Sequence, residues 1–220
     1  MTTGPFLAVL DYGIGNLRSA EKALQRVGAG ARLVSDPTDA SGADGVVLPG
    51  VGAFGACADA LVGSGLHRVV LAAVDAGTPF LAICVGMQLL YEGSVESPAV
   101  EGLGVLDGTV DLIAGDVKRP QMQWNTVEPV QPHPVHPHPM YPHPMFGTDH
   151  GPERPVGDRW MYFVHSYAAP LSDVTVATCD YGGPVVAAVA SGSLWATQFH
   201  PEKSGASGLA LLERFVEACR

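Results

Sequence analysis

Phe80-Leu81-Ala82-Ile83-Cys84-Val85-Gly86-Met87-Gln88 is the stretch on which the reading of this chain turns. The apolar run over 80–83 predicts a buried strand, and Gly86 to Tyr91 predicts a helix. One cysteine stands between them in a small-x-Cys-x-Gly frame, the pattern of a nucleophile elbow. In such a turn Sγ is pushed out beyond the sheet edge, and Gly86 lets helix and strand pack closely. The helix N-terminus favours a thiolate, and the N–H of Val85 points where an oxyanion would form. A buried core cysteine after a parallel strand fits the same nine residues, so the rest of the chain has to decide.

Working outward, the same alternation recurs. Phe6 to Leu10 is an apolar run that ends at Asp11-Tyr12-Gly13-Ile14-Gly15-Asn16. Leu17, Ala20, Ala23, Leu24 and Val27 then recur at helical spacing up to Gly28. Ala31 to Val34 and Gly45 to Leu48 predict two more strands, the second followed by Pro49-Gly50-Val51-Gly52 and a small-residue helix through Leu61. Val69 to Ala76 predicts a helix. Continuous apolar strands alternating with helices imply an α/β fold, with a mainly parallel sheet covered by helices on both faces. Beyond about residue 100 the texture changes to short strand-like runs: Gly104 to Ile113, Met122 to Val127, Trp160 to Ala168, Val174 to Cys179, and Val185 to Thr197 broken at Ser191-Gly192. These predict an antiparallel, C-terminal part of the same open, mixed sheet. Leu209, Leu212, Val216 and Cys219 predict a closing helix.

Bulk composition agrees with one compact domain over 1–220. The chain has 220 residues, 47% of them apolar and 15% charged, and a formal net charge of −10. That charge argues against a nucleic-acid partner. The longest apolar runs are far short of the ~20 residues of a membrane-spanning helix, so no membrane partner is expected. The start of the chain lacks a basic n-region. The four cysteines, Cys57, Cys84, Cys179 and Cys219, form no CxxC pair, which fits a reducing compartment, with the cytoplasm as the expected location.

Two other motifs fall where the elbow needs partners. Trp195-Ala196-Thr197-Gln198-Phe199-His200-Pro201-Glu202 sets a histidine and a glutamate two residues apart. On extended backbone these share a face, and Pro201 biases His200 toward that conformation. One ring nitrogen of His200 can then face Cys84 while Glu202 accepts from the other. A surface turn would also produce His-Pro-Glu. The glycine loop Leu48-Pro49-Gly50-Val51-Gly52 lies at the carboxyl end of a strand, where open α/β sheets place ligands, although a plain turn between strand and helix would also carry these glycines.

Taken together, the elbow with Gln88, the Pro-Gly-Val-Gly loop and Gln198-Phe199-His200-Pro201-Glu202 resemble the class I (triad) glutamine amidotransferases. Asp11-Tyr12-Gly13-Ile14-Gly15-Asn16-Leu17, Pro120-Gln121-Met122-Gln123-Trp124-Asn125, Phe163-Val164-His165-Ser166-Tyr167 and His200-Pro201-Glu202-Lys203-Ser204 resemble one subgroup, the glutaminase subunits that serve imidazole glycerol phosphate synthesis. The resemblance runs in family order from residue 11 to 204. Ala82 and Gln123 depart from it, since the family has glycine at both.

The resemblance implies a flavodoxin-like architecture and hydrolysis of glutamine to glutamate and ammonia. Cys84, His200 and Glu202 are the implied triad, and Val51, Gly52 and Val85 the implied oxyanion donors. Gly50, Gly52, Gln88, Ser166 and Tyr167 are implied for substrate binding. It further implies a heterodimer with a TIM-barrel cyclase subunit of histidine biosynthesis, met through Asn16, Trp124, Asn125, Tyr162 and Lys203. Neither a metal nor an organic cofactor is expected. Another pathway's amidotransferase subunit or a stand-alone γ-glutamyl hydrolase would share the triad; Asp11 to Asn16 and the Trp124-Asn125 pair with Phe163-Val164-His165-Ser166-Tyr167 favour the histidine subgroup.

A tract of alternating Pro and His, Pro129 to Pro144, lies within an insertion over 129–155 that is outside the family pattern. Its prolines donate no backbone hydrogen bonds, so an extended surface loop is expected. His133, His136, His138 and His143 have the side chains to ligate a soft metal, but a solvated low-complexity insertion is the reading adopted.

Overall fold

In the computed structural model of the 220-residue chain, residues 4–130, 143–147 and 159–220 are described. The strands are β1 (Leu7–Leu10), β2 (Arg32–Val34), β3 (Gly45–Gly50), β4 (Phe80–Cys84), β5 (Tyr91–Ser94), β6 (Leu106–Leu112), β7 (Gln121–Thr126), β8 (Glu128–Pro129), β9 (Trp160–His165), β10 (Tyr167–Ala168), β11 (Thr175–Asp180), β12 (Pro184–Ser191) and β13 (Leu194–Thr197). The helices are α1 (Leu17–Arg26), α2 (Phe54–Gly63), α3 (His67–Asp75), α4 (Val85–Gln88) and α5 (Gly205–Ala218).

One eight-stranded sheet has the order β2-β1-β3-β4-β13-β12-β11-β8. Pairing is parallel from β2 through β13 and antiparallel from there to the β8 edge. Every residue of β1, β3, β4 and β13 is buried. Alternate side chains of a strand point to opposite faces, so both faces of this region are covered. The predicted α/β fold with a mixed, mainly parallel sheet is what forms.

Two expectations need correction. The later strands do not all join that sheet: β5, β6 and β10 form a separate three-stranded sheet, and β7 pairs only with β9. The run predicted over Trp160 to Ala168 splits at Ser166 between two of these sheets. The helix predicted over Gly86 to Tyr91 is a single turn, α4, after which the chain enters β5 at Tyr91. Tyr91 is fully buried, and its backbone carbonyl lies only 2.0 Å from where a Cβ on Gly102 would stand, so tertiary packing rather than propensity ends the helix.

Of the Pro/His tract, His133, His136 and His138 lie outside the described residues. Its described end is not an exposed loop. His143, Met145 and Phe146 are buried, with the His143 ring edge-on to Trp195 at 5.4 Å. Residues 144–146 form a short turn against α5. Apolar Met145 and Phe146 follow the polar alternation, and their burial outweighs the extended bias of the prolines before them.

Candidate active site

Three strand ends meet at the carboxyl edge of the parallel region, where Gly50 of β3 pairs with Cys84 of β4 and Thr197 of β13 pairs with Ile83. Cys84 has φ 56° and ψ −115°, and among the described residues it is the one non-glycine with positive φ. Such backbone is costly for a side-chain-bearing residue and persists where packing over-determines it. Here the determinant is close approach: a Cβ on Gly86 would stand 2.0 Å from the Leu48 carbonyl oxygen. Strand β3 and helix α4 therefore touch backbone to backbone and force the turn that carries Cys84.

From β13 the chain runs on through Gln198 and Phe199 to His200. His200 is extended, but Pro201–Lys203 then turns as a 3₁₀ helix. The expectation that His200 and Glu202 share the face of a strand is thus replaced by a carboxylate that curls back from the turn. Glu202 Oε1 accepts from Nδ1 of His200 at 2.9 Å, and both side chains are almost fully buried. This fixes the tautomer and turns Nε2 toward Cys84, without closing a well-formed hydrogen bond. Burial works against the imidazolium, yet Cys84 and then Glu202 outweigh it and hold His200 well above its ordinary value. A histidine so held is a strong base beside the Cys84 thiol.

Around these groups is a cavity of about 530 Å³, lined among others by Val51, Gly52, Cys84, Val85, Gln88, Ser166, Tyr167 and His200. The structure thus gathers most of the residues singled out for triad, oxyanion and substrate. Gly50 is not among the lining residues: it stands behind them, where a Cβ would lie 2.6 Å from the Gly86 nitrogen and 2.9 Å from the Tyr12 hydroxyl. Among the described residues nothing accepts from the N–H of Val51 or Gly52. Val85 opens a helix and so has no intrahelical acceptor for its own N–H. Two unused donors beside the elbow, those of Val51 and Gly52, suit an anion that forms only during reaction.

Asn16 and Lys203, singled out for a partner surface, also line this cavity. Asn16 Nδ2 donates to Glu202 Oε1 at 3.2 Å. Lys203 stands over the Tyr162 ring at 5.9 Å, and Trp124 meets the same ring edge-on at 6.0 Å. Asn125 reaches the other way and donates to the Asp180 carbonyl at 2.8 Å.

Sequence reading missed three residues. Gln198 donates toward Cys84 Sγ at 3.7 Å and accepts from Gln88 at 3.0 Å, while the same Gln88 amide donates to the Tyr167 carbonyl. His165 donates its Nδ1–H to the Tyr167 carbonyl at 2.8 Å; burial depresses it to about 4, so it is neutral near pH 7. Glu96 brings a carboxylate to the cavity wall while accepting from the N–H of Phe54. Gln198 and His165 lie inside the Gln198–Glu202 and Phe163–Tyr167 motifs, which could have pointed to them; Glu96 lies in a stretch with no pattern. Among the described residues no three metal-ligating side chains converge.

The profile of the class-I glutamine amidotransferase family matches residues 8–219. The chain belongs to the class-I glutamine amidotransferases. This amidotransferase is 44% identical over 215 residues to the imidazole glycerol phosphate synthase subunit HisH of Methanothermobacter thermautotrophicus, covering 97% of this chain and 99% of that one. It is 45% identical over 217 residues to the subunit of the same name from Deinococcus radiodurans, covering 96% and 93%. In fold it is similar to a crystal structure of a glutamine amidotransferase, with TM-score 0.70 at 21% identity over 97% of this chain and 98% of that one. A structure of PurLQS from Thermotoga maritima gives TM-score 0.70 at 17% identity over 98% and 99%. The amidotransferase is a glutamine-hydrolysing enzyme, and among its described residues no single helix is long and apolar enough to cross a membrane.

Proposed function

We propose that this chain is the glutaminase subunit of an imidazole glycerol phosphate synthase, and that the cavity over Cys84 is where glutamine is hydrolysed. The observation that carries the chemistry is the buried His200–Glu202 pair set against a strained elbow cysteine. His200, oriented by Glu202, takes the thiol proton, and Sγ of Cys84 attacks the side-chain amide carbon of glutamine. The N–H groups of Val51, Gly52 and Val85 take the oxyanion. The cationic His200 protonates the departing nitrogen, which leaves as ammonia. Water, deprotonated by the same histidine, then cleaves the γ-glutamyl thioester.

Substrate orientation follows from charge. The carboxylate of Glu96 is suited to the α-ammonium group, and Gly52, Gln88, Ser166 and Tyr167 supply polar contacts along the same wall. Gln198, held by Gln88, keeps a donor on Sγ and so steadies the thiolate.

A second face supports a partner. Residues 122, 124 and 126 of β7 share one side of the ribbon with 160, 162 and 164 of β9. Met122, Trp124 and Trp160 are exposed there at 62%, 48% and 50%. The strip is continuous with the active site, because Val164 lines the cavity and Tyr162 leans on the His200 ring at 6.5 Å. An exposed aromatic strip at the mouth of an ammonia-producing cavity fits docking of the TIM-barrel cyclase subunit, which would receive the ammonia without loss to water. The four free thiols are in keeping with the cytoplasm as the compartment.

The test is glutamate release from glutamine by the chain alone, with a barrel cyclase subunit, and with that subunit and its nucleotide. A rise of orders of magnitude only in the third mixture is expected. Full turnover by the isolated chain, unchanged by the others, would assign it instead to a free-standing glutaminase or γ-glutamyl hydrolase.

A further inference from the structure

The stretch 49–52, the end of β3 and the two residues after it, is held from behind by two side chains that do not line the cavity. Tyr12, in the turn after β1, is buried and donates its hydroxyl to the Pro49 carbonyl at 2.7 Å. Cys57, buried in α2, donates its thiol to the Val51 carbonyl at 3.2 Å. Those two carbonyls belong to the peptide units Pro49–Gly50 and Val51–Gly52. Between them lies one unit, Gly50–Val51, whose N–H is without an acceptor among the described residues. The loop cannot retreat to relieve either contact, because Gly50 is wedged between the Gly86 nitrogen and the Tyr12 hydroxyl.

We propose that Tyr12 and Cys57 are positioning residues for the oxyanion donor: they anchor the carbonyls on either side of the Gly50–Val51 peptide, so that this single unit sets the aim of the Val51 N–H. The inference rests on the reading of Val51 as an oxyanion donor. A peptide unit rotates about the line joining its two Cα atoms by compensating changes in ψ of residue 50 and φ of residue 51. Glycine at 50 tolerates that change, and fixed neighbours confine it to one unit. Burial pushes both the Tyr12 hydroxyl and the Cys57 thiol upward, so both stay protonated and remain donors across the neutral range. Tyr12 and Cys57 come from different elements, so the loop is braced against both the β1 turn and α2.

Two readouts separate positioning from general damage. Glutamine hydrolysis passes through an oxyanion, whereas alkylation of Cys84 by iodoacetamide is a displacement at carbon that does not. In the complex with the cyclase subunit and nucleotide, Tyr12→Phe and Cys57→Ala should each lower kcat about 10-fold and move KM less than twofold, since small misplacement of a donor suffices for such a loss. The rate of Cys84 alkylation, followed by mass spectrometry of its peptide, should stay within twofold of wild type. Cys57→Ser, which retains a donor, should recover most of kcat. Unchanged kcat in Tyr12→Phe, or kcat and alkylation falling together, overturns the proposal. Val51→Pro, which removes the N–H, distinguishes the underlying reading: if it leaves kcat intact, Val51 is not the donor and both fall. If it lowers kcat and Tyr12→Phe lowers it further by the same factor in that background, only the positioning role fails.

Discussion

Asn16 Nδ2 and His200 Nδ1 converge on one oxygen of Glu202, at 3.2 Å and 2.9 Å. The carboxylate is therefore held from the loop after β1 while it holds the imidazole, and the other oxygen, Oε2, is buried with no partner among the described residues. Asn16→Leu should release the carboxylate and lower kcat roughly 10-fold with little change in KM, because a misoriented imidazole affects proton transfer rather than binding. Binding of the cyclase subunit, measured by calorimetry, should be the same within threefold. A loss of affinity with kcat intact would return Asn16 to the partner surface.

The role proposed for Cys84 can be tested separately from its place in the fold. Cys84→Ala should abolish glutamine-dependent synthesis by the complex and leave ammonium-driven synthesis intact. Cys84→Gly should be equally inactive but more stable than Cys84→Ala by about 1 kcal/mol, since glycine adopts φ 56° without the strain an L side chain incurs. Urea denaturation of the two variants measures the difference, and equal stability would mean that the elbow stores no strain.

His165 sets an acid limit. Its folded value of about 4 is depressed from 6.5 by burial, although its bond to the Tyr167 carbonyl pulls the other way. The neutral form folds, so below about pH 6.5 the unfolded chain binds a proton that the native chain refuses. Stability due to this group is complete above pH 6.5 and is lost as pH falls toward 4, by about 2 to 3 kcal/mol at pH 4.5. His165→Leu should unfold in urea with a difference between pH 7 and pH 4.5 smaller by that amount; an unaltered pH dependence would show that His165 titrates freely.

How far the sequence could go is visible in single residues. Cys84, Gly86, His200 and Glu202 were legible because close backbone approach, a strained turn and a carboxylate near a histidine leave local signatures. Strands β1, β3 and β4 were legible because burial on both faces leaves them almost without polar side chains, whereas β13, expected in the antiparallel part, pairs parallel with β4. The partition of the later strands into three sheets was not, since β6 and β7 show similar short runs whichever partner they take, and the choice rests on long-range register. Nor was the contact between Asn16 and Glu202, which spans 186 positions. Glu96 carries no pattern of its own and owes its place to the bend that caps α2.

The end of the Pro/His tract divides that insertion energetically. Phe146 is buried at 2% exposure and Met145 at 0%, against the flank of α5, while His143 accepts from the Met145 N–H at 3.2 Å. Phe146→Ala should cost about 3 to 5 kcal/mol, the usual range for emptying a buried aromatic site. Deleting residues 132–142, which leaves His143 and the turn in place, should move the denaturation midpoint little and leave glutamine turnover in the complex within twofold. Deleting 132–146 should destabilise the chain at least as much as Phe146→Ala, because α5 and Trp195 lose the same cover. If the shorter deletion were as damaging as the longer, the stabilising contacts would lie within 132–142; if neither mattered, the burial of Met145 and Phe146 would contribute nothing to the fold.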